Sequence, residues 1–275
     1  MRSISFEGSA ISIFFDPSQP SNNTPLSVQS MYNIYMCYYT SITTKPADII
    51  TRFGVEFPSS ESFQAMYSVN AFTYPEIPVI SSEDRQHVQY YTWGLIPFWV
   101  KDKDAANSIR QRTLNARAET IFEKPSFRHS IREKRCLIIV DGFFEWRHIG
   151  KKTYPYHINL KSNEPFVIAG IWDTWTDPAN GETIKTCSVI TTAANELLAK
   201  VHNTRKRMPV ILKRENETKW LEDDLTDDEI KSMLLSYDTD EMTAYPVSKM
   251  VNKLGVNFTD RSVLNEFEYS DLPDL

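Results

Sequence analysis

Five apolar runs follow one another between residues 136 and 191 with only short breaks between them, and this spacing constrains the fold more than any other feature of the chain. The runs are Cys136–Val140, Phe143–Arg147, Tyr154–Leu160, Phe166–Trp172 and Ile184–Thr191, rich in β-branched and aromatic residues. Such residues pack well on a pleated surface, so each run reads as a strand. The breaks contain turn formers: Asp141-Gly142, Asn163 and Asn180-Gly181. Asp-Gly between two apolar runs is a strong hairpin signal, because glycine accepts the positive φ of a primed turn. Sequential strands joined by short turns imply an antiparallel sheet or barrel.

Helical signals are sparser and lie around this block. Ile49, Ile50 and Phe53 share one face of a short helix over Ala47–Phe53. A proline-opened helix is expected over Pro125–Glu133, another over Ala193–Val201, and a third begins at Thr226, where Glu229 completes a capping box. Tyr90–Ile96 and Met208–Leu212 read as further strands, and the region to Asp84 reads as loop. The expected class is α+β: a single domain with a curved, mostly antiparallel β-sheet or barrel-like core flanked by short helices. Residues 1–35 are rich in Ser, Asn and Pro without either periodicity, the composition of a disordered extension. They read as the product of an upstream start or as a propeptide, ahead of a domain at 36–260 and a tail at 261–275.

Charge separates along the chain more than its net value of −6 suggests. Lys101 to Arg135 holds ten basic against five acidic residues, and Lys200 to Arg214 holds six basic and no acidic residue. Glu215 to Asp240 reverses this, with ten acidic residues against two lysines. The first two blocks suit phosphate and the third repels it. Three cysteines, at 37, 136 and 187, give neither a disulfide framework nor a zinc pattern, so a soluble protein of the reducing cytoplasm is expected, with no membrane partner, metal or organic cofactor.

Cys37 directly follows an internal methionine, Met36. If translation starts there and the methionine is removed, Cys37 carries a free α-amine beside its thiol. A 1,2-aminothiol condenses with an aldehyde to an imine, and the thiol then closes a five-membered thiazolidine. Near neutral pH about 14% of an α-amine of pKa ~7.8 is neutral and nucleophilic, far more than for lysine.

Four other positions carry chemistry. Glu145 lies between Phe144 and Trp146 on an expected strand, where apolar surroundings raise a carboxyl pKa and suit it to proton transfer; the alternative is a solvent-facing residue. His202 ends a helix within a basic block, as proton donor or as a helix-terminal cation. Asn115 and Arg117 alternate on one extended segment, so they project to one side and can orient a nucleophile and hold a phosphate; alternatively Arg117 pairs with Glu119. The run from Trp93 through Pro97 to Trp99 offers aromatic surface for a stacked base, or core.

Together these segments resemble the SRAP family of SOS-response-associated peptidases, or abasic-site-processing proteins. The likeness rests on Met36-Cys37, Trp93-Gly-Leu-Ile-Pro97, Asn115-Ala-Arg117-Ala-Glu119-Thr, Asp141-Gly-Phe-Phe-Glu145-Trp, Ala169-Gly-Ile-Trp, and His202-Asn203 leading to Arg207-Met208-Pro209, in order from Met36 to about Val247. It implies a monomer, nucleoid-associated during DNA damage, that binds single-stranded DNA and traps the abasic-site aldehyde on Cys37. Asn115 would hold the amine, Glu145 would assist imine formation and His202 would donate a proton. Arg117 would contact backbone phosphate, with Arg207, Trp93 and Pro97 also on the DNA side. The resemblance also implies a thiol autopeptidase that removes what precedes Cys37, with Cys37, His202 and Asn115 as its thiol, imidazole and amide; a further alternative is a non-catalytic single-stranded DNA-binding module. Where family members read Cys-Gly-Arg, this chain has Cys37-Tyr38-Tyr39, so either Tyr38 or Tyr39 stacks in place of the missing cation or Arg205 compensates for it.

Overall fold

The computed structural model describes residues 37–58, 63–252 and 259–275. The expectations for residues 1–35 and for Met36 lie outside the described residues. From Met36 onward the chain forms one unit.

The strands are β1 (Tyr39–Ile42), β2 (Met66–Asn70), β3 (Glu76–Ser81), β4 (Gln89–Trp93), β5 (Asn115–Arg117), β6 (Arg135–Val140), β7 (Gly142–Ile149), β8 (Lys152–Leu160), β9 (Phe166–Thr176), β10 (Thr183–Ala193), β11 (Arg207–Pro209) and β12 (Met242–Pro246). The helices are α1 (Pro46–Phe53), α2 (Lys103–Arg110), α3 (Ser130–Glu133), α4 (Glu196–Val201), α5 (Arg214–Trp220) and α6 (Asp227–Met233). One sheet is antiparallel in the order β12-β8-β7-β1-β2. The other closes on itself: β10 pairs with β4, β4 with β3, β3 with β6, β6 with β9 and β9 again with β10. β5 and β11 attach to β10, the former in parallel. The mixed α+β class with a barrel-like core is thus the observed one.

The alternation of side chains explains why β6, β9 and β10 carry apolar residues on both faces. Cys136, Ile138 and Val140 of β6, with Ile168 of β9 and Val189 of β10, belong to the core shared with the antiparallel sheet. Leu137, Ile139, Val167, Ala169 and Ile190 point the other way, into a second core with Ile49 of α1, Trp220 of α5 and Ile230 of α6. Both faces are covered, so apolar side chains dominate both. Gly170 has no room for a side chain, since a Cβ there would come within 2.8 Å of Cys136 Sγ and 2.7 Å of Ile138 Cδ1. The capping box at Thr226 is formed as expected, with Glu229 N–H donating to the Thr226 hydroxyl and Thr226 N–H to the Glu229 carboxylate.

Four local expectations are corrected. Asp141-Gly142 is not a hairpin: β6 belongs to the barrel and β7 to the other sheet, and the dipeptide carries the chain between them. Gly142 serves close packing, because a Cβ there would collide with His157 Nε2 and sit 2.8 Å from the Ile158 carbonyl oxygen. Asp141 accepts hydrogen bonds from the backbone of Thr43 and Thr44. The region before Asp84 holds two strands, β2 and β3, rather than only loop. In the Pro125–Glu133 segment only Ser130–Glu133 is helical, the rest being hydrogen-bonded turns. Strand β11 ends at Pro209, and the expected continuation to Leu212 pairs instead with β9, where Ala169 N–H donates to the Val210 carbonyl at 2.8 Å and Leu212 N–H to the Val167 carbonyl at 3.1 Å.

Candidate active site

Cys37 precedes β1, whose neighbour β7 places Glu145 beside it; the register pairs Tyr39 with Phe144. The parity seen in the sequence has a definite outcome. Phe144 and Trp146 take one face of β7, and Glu145 takes the other, where it is 2% exposed. The solvent-facing alternative is excluded.

Glu145 Oε1 accepts two hydrogen bonds from a single residue, from the Cys37 backbone N–H at 3.0 Å and from the Cys37 thiol at 2.7 Å. The Cys37 nitrogen is here an amide, because residue 36 precedes it, and it marks the place an α-amine would take. His202, at the C-terminal end of α4 and 4% exposed, brings Nδ1 to 3.5 Å from Glu145 Oε2. The same Nδ1 lies 3.1 Å from the Arg207 carbonyl oxygen. A carbonyl only accepts, so this contact assigns the proton to Nδ1.

Four residues separate His202 from Arg207, and a tight turn absorbs them. Lys206 adopts φ of 52° and donates its N–H to the His202 carbonyl at 2.8 Å, returning the chain beside the imidazole. Asn203 clamps this turn to β7 by accepting from His148 N–H and donating to the His148 carbonyl at 2.7 Å.

Electrostatics follow from burial. Desolvation raises the Glu145 carboxyl above its ordinary pKa, opposed by His202 and by the two Cys37 donors. Burial also pushes the Cys37 thiol well up, and the Glu145 charge adds to this, while Arg207 acts in the opposite direction. Burial and the neighbouring carboxylate therefore favour the protonated thiol of Cys37. His148 is lowered by burial and by the nearby His202.

The structure brings Asn115 to the same centre, its side-chain amide donating to the Cys37 carbonyl at 3.4 Å. That contact is to Cys37 rather than to His202, and Glu145 stands between thiol and imidazole. Arg117 is exposed two residues along β5, and Arg205 is exposed on the turn after His202. The guanidinium of Arg207, and not that of Arg117, forks onto Glu119, with further hydrogen bonds to the Thr191 carbonyl at 2.7 Å and hydroxyl at 3.3 Å.

Two expected DNA contacts do not survive. Trp93 is wholly buried, with its indole N–H donating to the Leu114 carbonyl at 2.9 Å, and Pro97 is buried as well. The ring of Trp93 faces the barrel core, so no base reaches it. The exposed aromatics of that segment are its neighbours Phe98 and Trp99, at 56% and 46%. Buried Asp173 holds this loop by accepting from Phe98 N–H at 2.9 Å. Sequence reasoning also missed Phe72, which stacks on Tyr38 beside Cys37. Its segment carried no strand signal to place it there.

A thiol and its own backbone nitrogen thus converge on one buried carboxylate, with an imidazole behind and arginines at the rim, as a cysteine-centred candidate site. The chain belongs to the SRAP family, described as SOS response associated peptidase, which it matches over residues 36–254. It is 40% identical over 224 residues to the abasic site processing protein YoqW of Bacillus subtilis (strain 168), covering 79% of this chain and 94% of that protein. It is 31% identical over 182 residues to the abasic site processing protein HMCES of Gallus gallus, covering 59% of this chain and 53% of the relative. A crystal structure of a protein from Bacteroides thetaiotaomicron superposes with a TM-score of 0.80 at 42% identity, covering 84% of this chain and all of that one.

No helix among the described residues is long and apolar enough to cross a membrane.

Proposed function

We propose that this protein processes abasic sites in single-stranded DNA by capturing the ring-opened aldehyde on Cys37 once the residues before it are removed. The observation that carries this reading is the convergence of Cys37 nitrogen and sulfur on Glu145 Oε1. The names of the relatives, abasic site processing proteins, support it.

The neutral α-amine attacks the aldehyde carbon and gives a carbinolamine. Protonated Glu145, favoured by its burial, donates a proton to the departing hydroxyl, which leaves as water, and the nitrogen gives up its own proton to solvent to leave the neutral imine. The resulting carboxylate takes the thiol proton, sulfur attacks the imine carbon, and the nitrogen takes a proton to complete the thiazolidine. The sum is aldehyde plus aminothiol giving thiazolidine plus water. The thiol is tethered beside the imine, and effective molarities for such ring closures reach about 10⁵ M. His202 returns protons to Glu145, Asn115 fixes the Cys37 carbonyl, and Arg117, Arg205 and Arg207 meet backbone phosphates, with Phe98 and Trp99 available for base stacking.

Incubation of protein bearing Cys37 at its terminus with a single-stranded oligonucleotide containing one abasic site gives a heat-stable adduct. Cys37→Ala, and protein that retains residues 1–36, give none; an undiminished yield from either overturns the proposal. Self-removal of residues 1–36 is a second activity of the same site, supported by the thiol lying against a base and beside its own backbone amide. Intact-mass measurement of protein expressed from Met1 decides it, since a stable full-length product excludes self-processing.

A further inference from the structure

His202 and Glu145 meet from two different sheets. Glu145 lies on β7 of the antiparallel sheet. The His202 turn belongs to the barrel, because α4 follows β10 and Arg207 opens β11, which pairs with β10. Three backbone hydrogen bonds hold the turn on that side: His202 N–H donates to the Leu198 carbonyl at 2.7 Å, Lys206 N–H to the His202 carbonyl at 2.8 Å, and Ala194 N–H to the Lys206 carbonyl at 2.9 Å. None of these three fixes the turn against the strand that carries Glu145.

The course of β7 shows what does. Its pairing with β1 reaches Tyr39 opposite Phe144, whereas its pairing with β8 runs on to Ile149. Alternate residues of an antiparallel strand offer both backbone groups to the same side. Past Phe144 the β1 edge of β7 therefore carries backbone groups that no described strand pairs. The Asn203 side chain takes the place of a strand there, accepting from His148 N–H at 3.0 Å and donating to the His148 carbonyl at 2.7 Å. A side-chain amide has one carbonyl acceptor and an N–H donor beside it, the same complement as a peptide group. Aspartate lacks the donor, and an apolar side chain lacks both.

This bracket joins the two sheets close to the chemistry. Its strand end lies three residues from Glu145 and its turn end is the residue next to His202. The carboxylate is divided accordingly: Oε1 is taken by the Cys37 nitrogen and thiol, and Oε2 faces His202 Nδ1 at 3.5 Å.

We propose that Asn203 is a positioning residue for the reaction, holding the His202 imidazole at the second oxygen of Glu145 by completing the ladder of β7. Its two hydrogen bonds go to the His148 backbone, so it acts through His202 rather than on the reacting atoms. The role rests on the reading of the site given above, in which His202 returns protons to Glu145. Misplacement of a catalytic group by about 1 Å costs on the order of 10²-fold in rate.

The test is a double-mutant cycle on protein bearing Cys37 at its terminus, read as single-turnover crosslinking to a single-stranded oligonucleotide with one abasic site. Saturating protein keeps DNA affinity out of the rate. Asn203→Ala is expected to lower the rate about 10- to 100-fold while His202 is present. In a His202→Phe background, where no imidazole is left to place, the same change is expected to cost less than about twofold. A loss of equal size in both backgrounds belongs to a merely structural Asn203 and overturns the proposal, as does an Asn203→Ala protein of unaltered rate. Asn203→Asp keeps the acceptor for His148 N–H and loses the donor, and it replaces the alanine variant in the cycle if that variant fails to fold, with the same outcomes deciding. A second readout is independent of crosslinking. In protein with nitrogen-15-labelled histidine, the His202 imidazole is expected as a single Nδ1-protonated tautomer, and in the Asn203 variant as an average of both tautomers; an unchanged His202 spectrum overturns the proposal. Absence of any crosslink in the unaltered protein sinks the abasic-site chemistry, and the imidazole spectrum then decides the role of Asn203 alone.

Discussion

His157 and His202 are buried to the same degree, each 4% exposed, and do opposite things. His157, on β8, packs edge-on against Phe144 and tilted against Tyr245, and meets the Ser41 hydroxyl at 3.0 Å from Nε2. With no carboxylate to compensate, burial drives its pKa down to about 4, and it remains a neutral packing element. His202 faces the Glu145 carboxylate and a backbone carbonyl and is wired to a thiol through that carboxylate. Equal burial does not make equal chemistry; the neighbour decides.

The largest expected effect separates the two centres. Glu145→Gln removes the group that links His202 to Cys37, and the crosslinking rate is expected to fall about 10²–10⁴-fold, measured by single-turnover assay with an abasic oligonucleotide. His157→Phe lies outside that linkage and keeps the rate within a few-fold; a loss comparable to that of Glu145→Gln would erase the distinction.

The next effect is on stability. His157 has a folded pKa near 4 and an unfolded value near 6.5, so below pH 6.5 the unfolded chain binds a proton that the folded chain refuses. Its contribution is present above pH 6.5 and is lost as pH falls toward 4, a change on the order of 3 kcal/mol. Chemical denaturation between pH 4 and 7 should show stability rising with pH, and His157→Phe should flatten that slope.

Gly142→Ala sharpens the comparison through packing. The new methyl collides with the His157 ring and not with the His202 turn, and the expected cost is about 1–3 kcal/mol by urea unfolding. Smallest is Ser41→Ala, which leaves His157 Nε2 without its hydroxyl partner and costs about 1 kcal/mol with no change in the crosslinking rate.

Legibility of the sequence followed the same division between local pattern and tertiary neighbour. Strands β6 to β10 were readable because each contains an apolar run and the turns between them carry Asn or Gly. Strand β3 was not, because Pro78 sits within it and proline argues against a paired strand. Strand β2 was not, because four of its five residues are only half-buried and show no alternation. At the site, parity placed Glu145 off the Phe144 face, and His202 stood out at a helix end. Trp93 was misjudged, since nothing in its own segment tells whether a ring turns toward the barrel or toward solvent. Phe98 and Trp99, five and six residues further on, hold the exposed positions. Asp141-Gly142 is the clearest case: a genuine turn signal used to move the chain between two sheets.

The two hydrogen bonds that Cys37 makes to one oxygen of Glu145 impose an order on the proposed reaction. While nitrogen still carries a hydrogen, Oε1 is divided between two donors and neither is fully activated. Conversion of the amine to an imine removes one claimant, and the oxygen is left to the thiol alone. Ring closure is thereby timed to follow capture without any movement of the backbone, and the clock is a single oxygen atom.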